Sequence, residues 1–331
     1  MAGRLTHSGW YHLAKLLLGN KHKQHSPRLL KLLWALESGL IGLLVRLGRL
    51  LPPDTASRLG ASLARRLGPH LDKTRLITRN LRVAFPDKTP AELDRLVADI
   101  WANLGSILAE YPHLGTICHI QADQRLEYVI AEDIQVFSNP DKPAVFVSAH
   151  LGNWELAAGA IAHRGVPLSV VYTRLQNPGL DRMLYRARQA LGCDLVERGG
   201  AGRQLIRCLK EGTSVGLIVD QRVDGGEPVP FFCHDMLTSL TPAQLALRFD
   251  CELIPVQIQR LEGAHFRVIF HSPVKADDPT ASGEQKVLQM TRKINALFED
   301  WIRERPHQWM CTKRRWPKLL TKPDWQGNSQ A

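Results

Sequence analysis

The 331-residue sequence has few of the short motifs by which cofactor and metal sites are recognised. No two of its six cysteines are two to four residues apart, so a zinc knuckle is excluded and free thiols are expected. The sequence contains no GxxxxGKS/T phosphate loop and no GxGxxG turn after a strand. These absences argue against a structural zinc site, an ATP-driven reaction and a dinucleotide-binding domain.

A secretory signal peptide and an uninterrupted membrane-spanning run are also missing. Residues 1–28 are polar and basic, and the apolar stretch 29–53 is interrupted by four charged residues, whereas a spanning helix needs about 20 consecutive apolar residues. Leucines recur there every three or four residues, which predicts a helix with one broad apolar face. We expect this helix to anchor the protein in the membrane interface. A membrane span and an ordinary helix packed on the core are the alternatives.

The charge is unbalanced, because 43 Lys and Arg face 32 Asp and Glu and leave a formal charge of +11. Such a chain favours anionic partners, whether nucleic acid, an acidic membrane face or an acidic protein. The hydrophobic content of 44% is ordinary for a globular protein and excludes a disordered or fibrous chain. Composition does not choose among the anionic partners.

Two regions are expected, a basic tail with an anchoring helix over residues 1–53 and a larger domain over 54–331. Helical patterns at 54–68 and 75–85, and a helix capped by Thr89 and Glu92, make 54–120 helical. The remainder, 121–331, alternates strands with helices, which predicts an α/β fold with a mostly parallel central sheet flanked by helices. The expected strands are 126–130, 144–148, 168–172, 214–219, 253–258 and 266–270, and the expected helices are 153–164, 180–191, 202–210, 241–249 and 285–304.

A histidine and a glutamate follow the buried strand that ends at Ser148. His150 comes first, Gly152 permits a tight turn, and Glu155 lies in the first turn of the next helix. Because a turn separates them, we expect the carboxylate to reach back to the imidazole and fix its tautomer. The other ring nitrogen can then take a proton from an attacking hydroxyl. The alternative is a capping or surface pair, which is the commoner role of an isolated His and Glu at this spacing.

Several segments of the chain match the sequence blocks of one known family and occur in the same order. The segments are NLRVAFP (80–86), SAHLGNWEL (148–156), VYTRLQNPGLDRMLYRAR (171–188), LIVDQR (217–222) with VPFF (229–232), TPAQLALRFDCELIPV (241–256) and PHQWMCTKRRWP (306–317). Over roughly residues 75–318, the chain therefore resembles the bacterial lipid A biosynthesis acyltransferases. It departs from that family at Cys233 and His234, since the family usually has glycine after its VPFF block.

The resemblance implies a glycerolipid-acyltransferase-like fold and a transfer reaction. A fatty acyl chain would move from acyl carrier protein to a hydroxyl of a phosphorylated glycolipid, most simply a Kdo-bearing lipid A precursor. The lipid hydroxyl would attack the thioester directly, at the cytoplasmic face of the inner membrane. Acyl carrier protein would be a transient partner and co-substrate, and no other cofactor, metal or nucleic acid is implied.

The resemblance also implies roles for seven residues. His150 would be the general base and Glu155 its orienting carboxylate. Arginines would contact phosphate or the oxyanion, because guanidinium binds phosphate through two parallel hydrogen bonds. The expected substrate-binding or site-shaping residues are Arg174, Asn177, Arg186, Arg188 and Asp220.

Two alternatives remain open at the level of the sequence. An acyltransferase of the same family could act on another polar lipid, such as an ornithine lipid or a phosphoinositide mannoside, since these enzymes share the same blocks. A non-catalytic basic protein that binds lipid would keep the fold without the chemistry.

Overall fold

The computed structural model describes residues 27–139 and 142–317, and its first part is helical. Thr89 and Glu92 form the predicted capping box, in which Thr89 N donates to Glu92 Oε2 over 2.8 Å. The helices predicted over 54–68 and 75–85 are confirmed to within one residue. The helical part comprises α1 (Pro27–Gly48), α2 (Pro53–Leu67), α3 (Thr74–Ala84), α4 (Pro90–Glu110) and the short α5 (Ala122–Arg125).

Helices α2 and α4 cross so closely that neither tolerates a side chain at the crossing. A Cβ on Gly60 would lie 2.3 Å from Gly105 O, and a Cβ on Gly105 would lie 2.1 Å from Gly60 O. Both clashes are with backbone atoms, which cannot move aside as a flexible side chain could. The two glycines therefore set the separation of α2 and α4.

A seven-stranded sheet follows the helical part. Its strands are β1 (Leu126–Ile130), β2 (Val145–Ser148), β3 (Leu168–Tyr172), β4 (Asp194–Glu197), β5 (Ser214–Ile218), β8 (Leu253–Arg260) and β9 (Phe266–Phe270). The strand order is β1-β9-β8-β2-β5-β3-β4, and each pair of neighbours is parallel except β8 and β9, which are antiparallel. The mostly parallel sheet predicted from the sequence is thus confirmed, and central β2 is buried along its whole length.

The remaining elements connect or flank the sheet. A separate antiparallel hairpin is formed by β6 (Glu227–Phe231) and β7 (His234–Thr238), which the sequence analysis did not predict. The five predicted helices of this part are all present. They are α6 (Glu155–His163), α7 (Pro178–Gln189), α8 (Ala201–Lys210), α9 (Thr241–Phe249) and α10 (Gly283–Glu304).

Helix α1 turns its apolar face away from the protein. Seven of its leucines are between 42% and 62% exposed, whereas Glu37 is buried and accepts a hydrogen bond from Asn177 Nδ2 over 2.9 Å. Within the ranges the structure describes, no helix is long and apolar enough to cross a membrane. The predicted basic tail falls largely on residues 1–26, which lie outside those ranges. The exposed leucines are Leu29, Leu32, Leu36, Leu40, Leu43, Leu44 and Leu47.

A buried ion pair joins the helical part to the sheet. Glu110, at the end of α4, is fully buried and pairs with Arg260 at the end of β8. The Glu110 carboxylate also accepts hydrogen bonds from Ser57 Oγ over 2.6 Å and from Asn153 Nδ2 over 2.9 Å. The Arg260 Nε donates to Asn103 Oδ1 over 2.9 Å. Nearly every polar atom of the pair is therefore satisfied, as a buried charge requires.

Candidate active site

His150 and Asp220 meet at the carboxyl ends of two neighbouring parallel strands. The last paired residues of β2 and β5 are Ser148 and Ile218, and the two side chains come two residues later on each strand. His150 Nδ1 lies 2.6 Å from Asp220 Oδ1. Ligands bind at this edge in open α/β sheets, so the pair lies where chemistry is expected.

Asp220 is buried yet held in its ionised form. Burial raises its pKa, but the neighbouring His150 charge, the hydrogen bonds from His150 and Trp309, and the charge of Arg315 outweigh that effect and lower the pKa. The Trp309 indole Nε1 donates to Asp220 Oδ2 over 3.1 Å. One oxygen of the Asp220 carboxylate therefore contacts the imidazole, and the other accepts the hydrogen bond of the indole.

The second imidazole nitrogen of His150 is available for proton transfer. Since Nδ1 faces Asp220, Nε2 is the atom that can accept a proton from a substrate. The side-chain amide nitrogen of Gln221 lies 3.2 Å from Nε2, and the Trp154 ring packs against the imidazole with 5.1 Å between ring centroids. These neighbours restrict how the ring can rotate.

Glu155 does not make the predicted contact with His150. Its carboxylate instead accepts hydrogen bonds from Arg188 Nη2 over 2.6 Å and Arg188 Nε over 2.8 Å, and from the Tyr111 hydroxyl over 2.7 Å. Burial alone would raise the pKa of Glu155. The charge and hydrogen bonds of Arg188, the hydrogen bond from Tyr111 and the charge of His150 outweigh that effect, so the pKa lies below its usual value. The predicted contact between Glu155 and His150 is therefore wrong. Arg188 on α7 offers Glu155 two parallel donors, and Asp220 instead contacts the imidazole. The requirement for Glu155 in catalysis stays a prediction.

The turn between β2 and α6 has the predicted shape. Gly152 has a φ of +54°, and a Cβ there would lie 2.7 Å from Ile258 O. Glycine is therefore required both by the backbone conformation and by the close approach of β8. This turn directs Glu155 toward α7 and leaves His150 at the strand end.

The other predicted substrate residues separate into three locations. Asn177 is buried as the N-cap of α7, where its Oδ1 accepts from Gly179 N over 2.9 Å and its Nδ2 donates to α1, so its amide serves the structure. Arg174 is exposed, pairs with Glu197 over 3.1 Å and lines, with Arg186, a second cavity of about 580 Å³. Of the three predicted arginines, only Arg188 borders the cavity that contains His150.

That main cavity has a volume of about 860 Å³ and is lined by both apolar and charged side chains. Its size is within the range of small-molecule sites. His150, Glu155 and Arg188 line it, and four further cations border it at Arg198, Arg222, Lys313 and Arg314. The apolar wall comes from the sheet and the helices around it, and includes Phe146, Ala157, Ile161, Leu168, Leu191 and Leu205.

The described residues form neither a serine-hydrolase elbow nor a metal site. Residues 212–216 read GTSVG, the letters of a serine-hydrolase elbow, but Ser214 begins β5 instead of following a strand. Ser214 is fully buried, and its Oγ accepts a hydrogen bond from Ala144 N over 3.0 Å. Across residues 27–139 and 142–317, no three His, Cys, Asp or Glu side chains are grouped so as to hold a metal ion.

Residues 309–316 (the 309–316 segment) contact the site, which the sequence did not predict. Met310 N donates to His150 O over 2.8 Å, and Leu151 and Trp309 form a β-bridge. Asn80 on α3 holds the other side, because its Nδ2 donates to Cys311 O over 2.7 Å. The Trp- and Arg-rich composition was the available signal, but it does not tell which strand end the segment reaches.

Comparisons with known proteins identify the family of the chain. The sequence pattern of the family described as bacterial lipid A biosynthesis acyltransferase matches residues 22–318. A phosphatidylinositol mannoside acyltransferase of Mycolicibacterium smegmatis is 24% identical over 231 residues, which cover 68% of this chain and 76% of that protein. One from Mycobacterium tuberculosis is 24% identical over 266 residues, 78% of this chain and 81% of that protein. The family match spans most of the chain, so the chain belongs to the bacterial lipid A biosynthesis acyltransferase family and the protein is an acyltransferase.

Proposed function

We propose that the protein transfers a fatty acyl chain from the thioester of acyl carrier protein to a hydroxyl of a Kdo-bearing lipid A precursor. The observation that carries this proposal is the His150–Asp220 pair, with an Nδ1–Oδ1 distance of 2.6 Å, on a cavity that has an apolar wall. The pair supports base catalysis, and the wall suits an acyl chain. The family match supports the phosphorylated glycolipid as acceptor.

The reaction needs no nucleophile from the protein. The acceptor hydroxyl oxygen attacks the thioester carbonyl carbon while His150 Nε2 takes the hydroxyl proton. The carbon–sulfur bond then breaks, and the imidazolium returns the proton to the leaving thiolate. Asp220 stabilises the imidazolium and keeps the proton of the resting ring on Nδ1. Trp309 is a positioning residue, because it fixes the Asp220 carboxylate from the opposite side.

Glu155 acts in this scheme through Arg188. The buried carboxylate fixes the guanidinium on the cavity wall, and the ion pair raises the pKa of Arg188 despite its burial. A fixed positive charge beside the thioester favours the negative charge that develops on the carbonyl oxygen. Glu155 is therefore a positioning residue in this proposal, and Asp220 is the partner of the base.

The acceptor is tested by direct transfer. Purified protein is incubated with a panel of acyl carrier protein thioesters and with a Kdo-bearing tetraacyl lipid A precursor, and the products are read by mass spectrometry. We expect a mass gain of one acyl chain on the precursor, and the donor panel gives the chain length. No gain on any polar lipid from folded protein would contradict the enzymatic proposal and favour a lipid-binding protein.

A second acceptor is favoured by the named relatives. Both curated proteins described above are phosphatidylinositol mannoside acyltransferases. A phosphoinositide mannoside therefore enters the same assay. Acylation of the mannoside alone would keep the mechanism and replace the acceptor.

The exposed leucines of α1 are proposed to dock the protein on the cytoplasmic face of the inner membrane. Helix α2 adds Leu59, Leu63 and Leu67, each more than half exposed. Their apolar surface gains free energy by leaving water, and nearby Arg46 and Arg49 meet anionic headgroups. The interfacial orientation requires no spanning helix.

Polar substitutions on α1 test this docking. The double variant Leu36→Gln with Leu40→Gln should weaken binding to phosphatidylglycerol-containing vesicles by about tenfold or more, since each buried leucine contributes about 1.5–3 kcal/mol. Vesicle co-sedimentation measures the effect. Leu247→Gln, on an exposed leucine of α9, is the matched control and should bind as the parent protein does. Equal binding by the α1 variant would exclude this face as the docking surface.

A further inference from the structure

The main cavity is lined by more cations than the chemistry at His150 uses. The four side chains come from the residue after β4, the residues after β5 and the 309–316 segment. Arg222 pairs with Asp224 over 2.9 Å. In the portion of the chain that the structure describes, Arg198, Lys313 and Arg314 make no ion pair with a carboxylate. The lining of the cavity therefore includes three cations without an ion-pair partner.

The backbone around Lys313 is held by hydrogen bonds on two sides. Asn80 Nδ2 donates to the Lys313 carbonyl over 2.6 Å, and three residues earlier Met310 N donates to His150 O over 2.8 Å. The backbone on both sides of the side chain is thus tied to α3 and to the catalytic turn. The ammonium consequently faces the same cavity as the imidazole.

The surroundings of the Lys313 ammonium disfavour its positive charge. Burial, together with the neighbouring charges of Arg198 and Lys73, lowers the pKa of its ammonium to about 7, although Asp220 acts in the opposite direction. An anion bound between these cations would offset their repulsion and favour the charged ammonium. Several converging donors suit phosphate, since arginine binds it through two parallel hydrogen bonds and lysine binds it as a point charge.

We infer that Lys313, together with Arg198 and Arg314, forms a phosphate-binding subsite of the main cavity. The inference rests on the proposed function in one respect, that the phosphate belongs to a substrate. The phosphate can come from the phosphopantetheine arm of the acyl donor or from the headgroup of the acceptor. Both are phosphate esters, so the same subsite chemistry serves either.

Binding of paired probes distinguishes the two sources without requiring turnover. The first pair is 4′-phosphopantetheine and pantetheine, and the second is dibutyryl phosphatidic acid and dibutyrylglycerol. By titration calorimetry, the parent protein should bind the phosphorylated member of one pair more tightly than its partner, by about tenfold or more. That ratio corresponds to the free energy that hydrogen bonds to charged groups contribute. The preference should shrink as salt concentration rises. The pair that shows the preference identifies the source.

Two variants and a matched control assign the preference to residues. Lys313→Gln and Arg198→Gln should each reduce it severalfold, whereas Arg203→Gln, an exposed arginine of α8 outside the cavity lining, should leave it unchanged. Arg198 is itself exposed, so its variant is expected to keep the parent unfolding midpoint. Equal binding of both members of each pair by the parent protein overturns the inference. A preference that survives in both variants also overturns it. Because the readout is binding, a failed transfer assay would reject the proposed function separately.

Discussion

Replacing His150 with alanine is expected to slow acyl transfer by about 100- to 10,000-fold, the contribution typical of a positioned general base. The loss should appear in kcat, because proton transfer occurs in the transition state and binding of the lipid does not depend on the imidazole. The loss is measured as the initial rate of acyl transfer onto the acceptor lipid that the transfer assay identifies. Vesicle binding and the far-ultraviolet circular dichroism spectrum should match those of the parent protein.

The partner of the base is tested by two isosteric changes. Asp220→Asn should produce a loss in the same range as His150→Ala, since the amide cannot stabilise the imidazolium charge. Glu155→Gln removes the charge that holds Arg188 and should leave the pH dependence of kcat in place while lowering its magnitude. If Glu155→Gln reproduced the full loss and Asp220→Asn did not, the carboxylate predicted from the sequence would be the partner after all. Full activity in His150→Ala would reject the general-base mechanism.

Replacing Arg260 with methionine is expected to lower the free energy of unfolding by about 3–5 kcal/mol. The reason is that the fully buried Glu110 carboxyl group would lose its cation. Urea titration followed by circular dichroism measures the loss. The double variant Glu110→Gln with Arg260→Met should lose less than Arg260→Met alone, because no unpaired charge is left in the interior.

A matched control is available on the neighbouring strand. Arg267 on β9 pairs with Glu127 over 2.8 Å, but both side chains are exposed. Arg267→Met should therefore cost about 0–1 kcal/mol, as surface ion pairs do. If Arg260→Met and Arg267→Met lowered the free energy of unfolding equally, burial would not be the reason that the Glu110–Arg260 pair stabilises the protein.

Most elements were predictable because their patterns are local. The strands at 126–130, 168–172 and 266–270 have the bounds that the apolar pattern predicts, and the capping box marks the start of α4. β4 was missed because it is a short edge strand with one buried residue, Val196.

The β6–β7 hairpin was missed for a different reason. Pro228 and Pro230 cannot donate to a ladder, which argues against a strand in a sequence pattern. The hairpin turn places Phe232 and Cys233 at φ values of +49° and +59°. Glycine adopts this conformation without strain, so a residue with a side chain is the less usual choice at position 233.

The site was predictable only in part, because its key contact is not local. The H-x4-E spacing draws attention to Glu155, which is near His150 in the chain. Asp220 reaches His150 only because β5 lies beside β2, and two strands, β3 and β4, intervene between them in the sequence. Strand order decides the pairing, and no spacing in the sequence encodes that order.

The path of the 309–316 segment sets the order in which the active site assembles during synthesis. A chain made only as far as residue 300 would already contain both strands that bear His150 and Asp220, yet Asp220 Oδ2 would lack its indole donor. The part of the cavity lining that Met310 and Lys313 supply would also be missing. The surroundings of His150 are therefore complete only once the 309–316 segment has joined the end of the sheet.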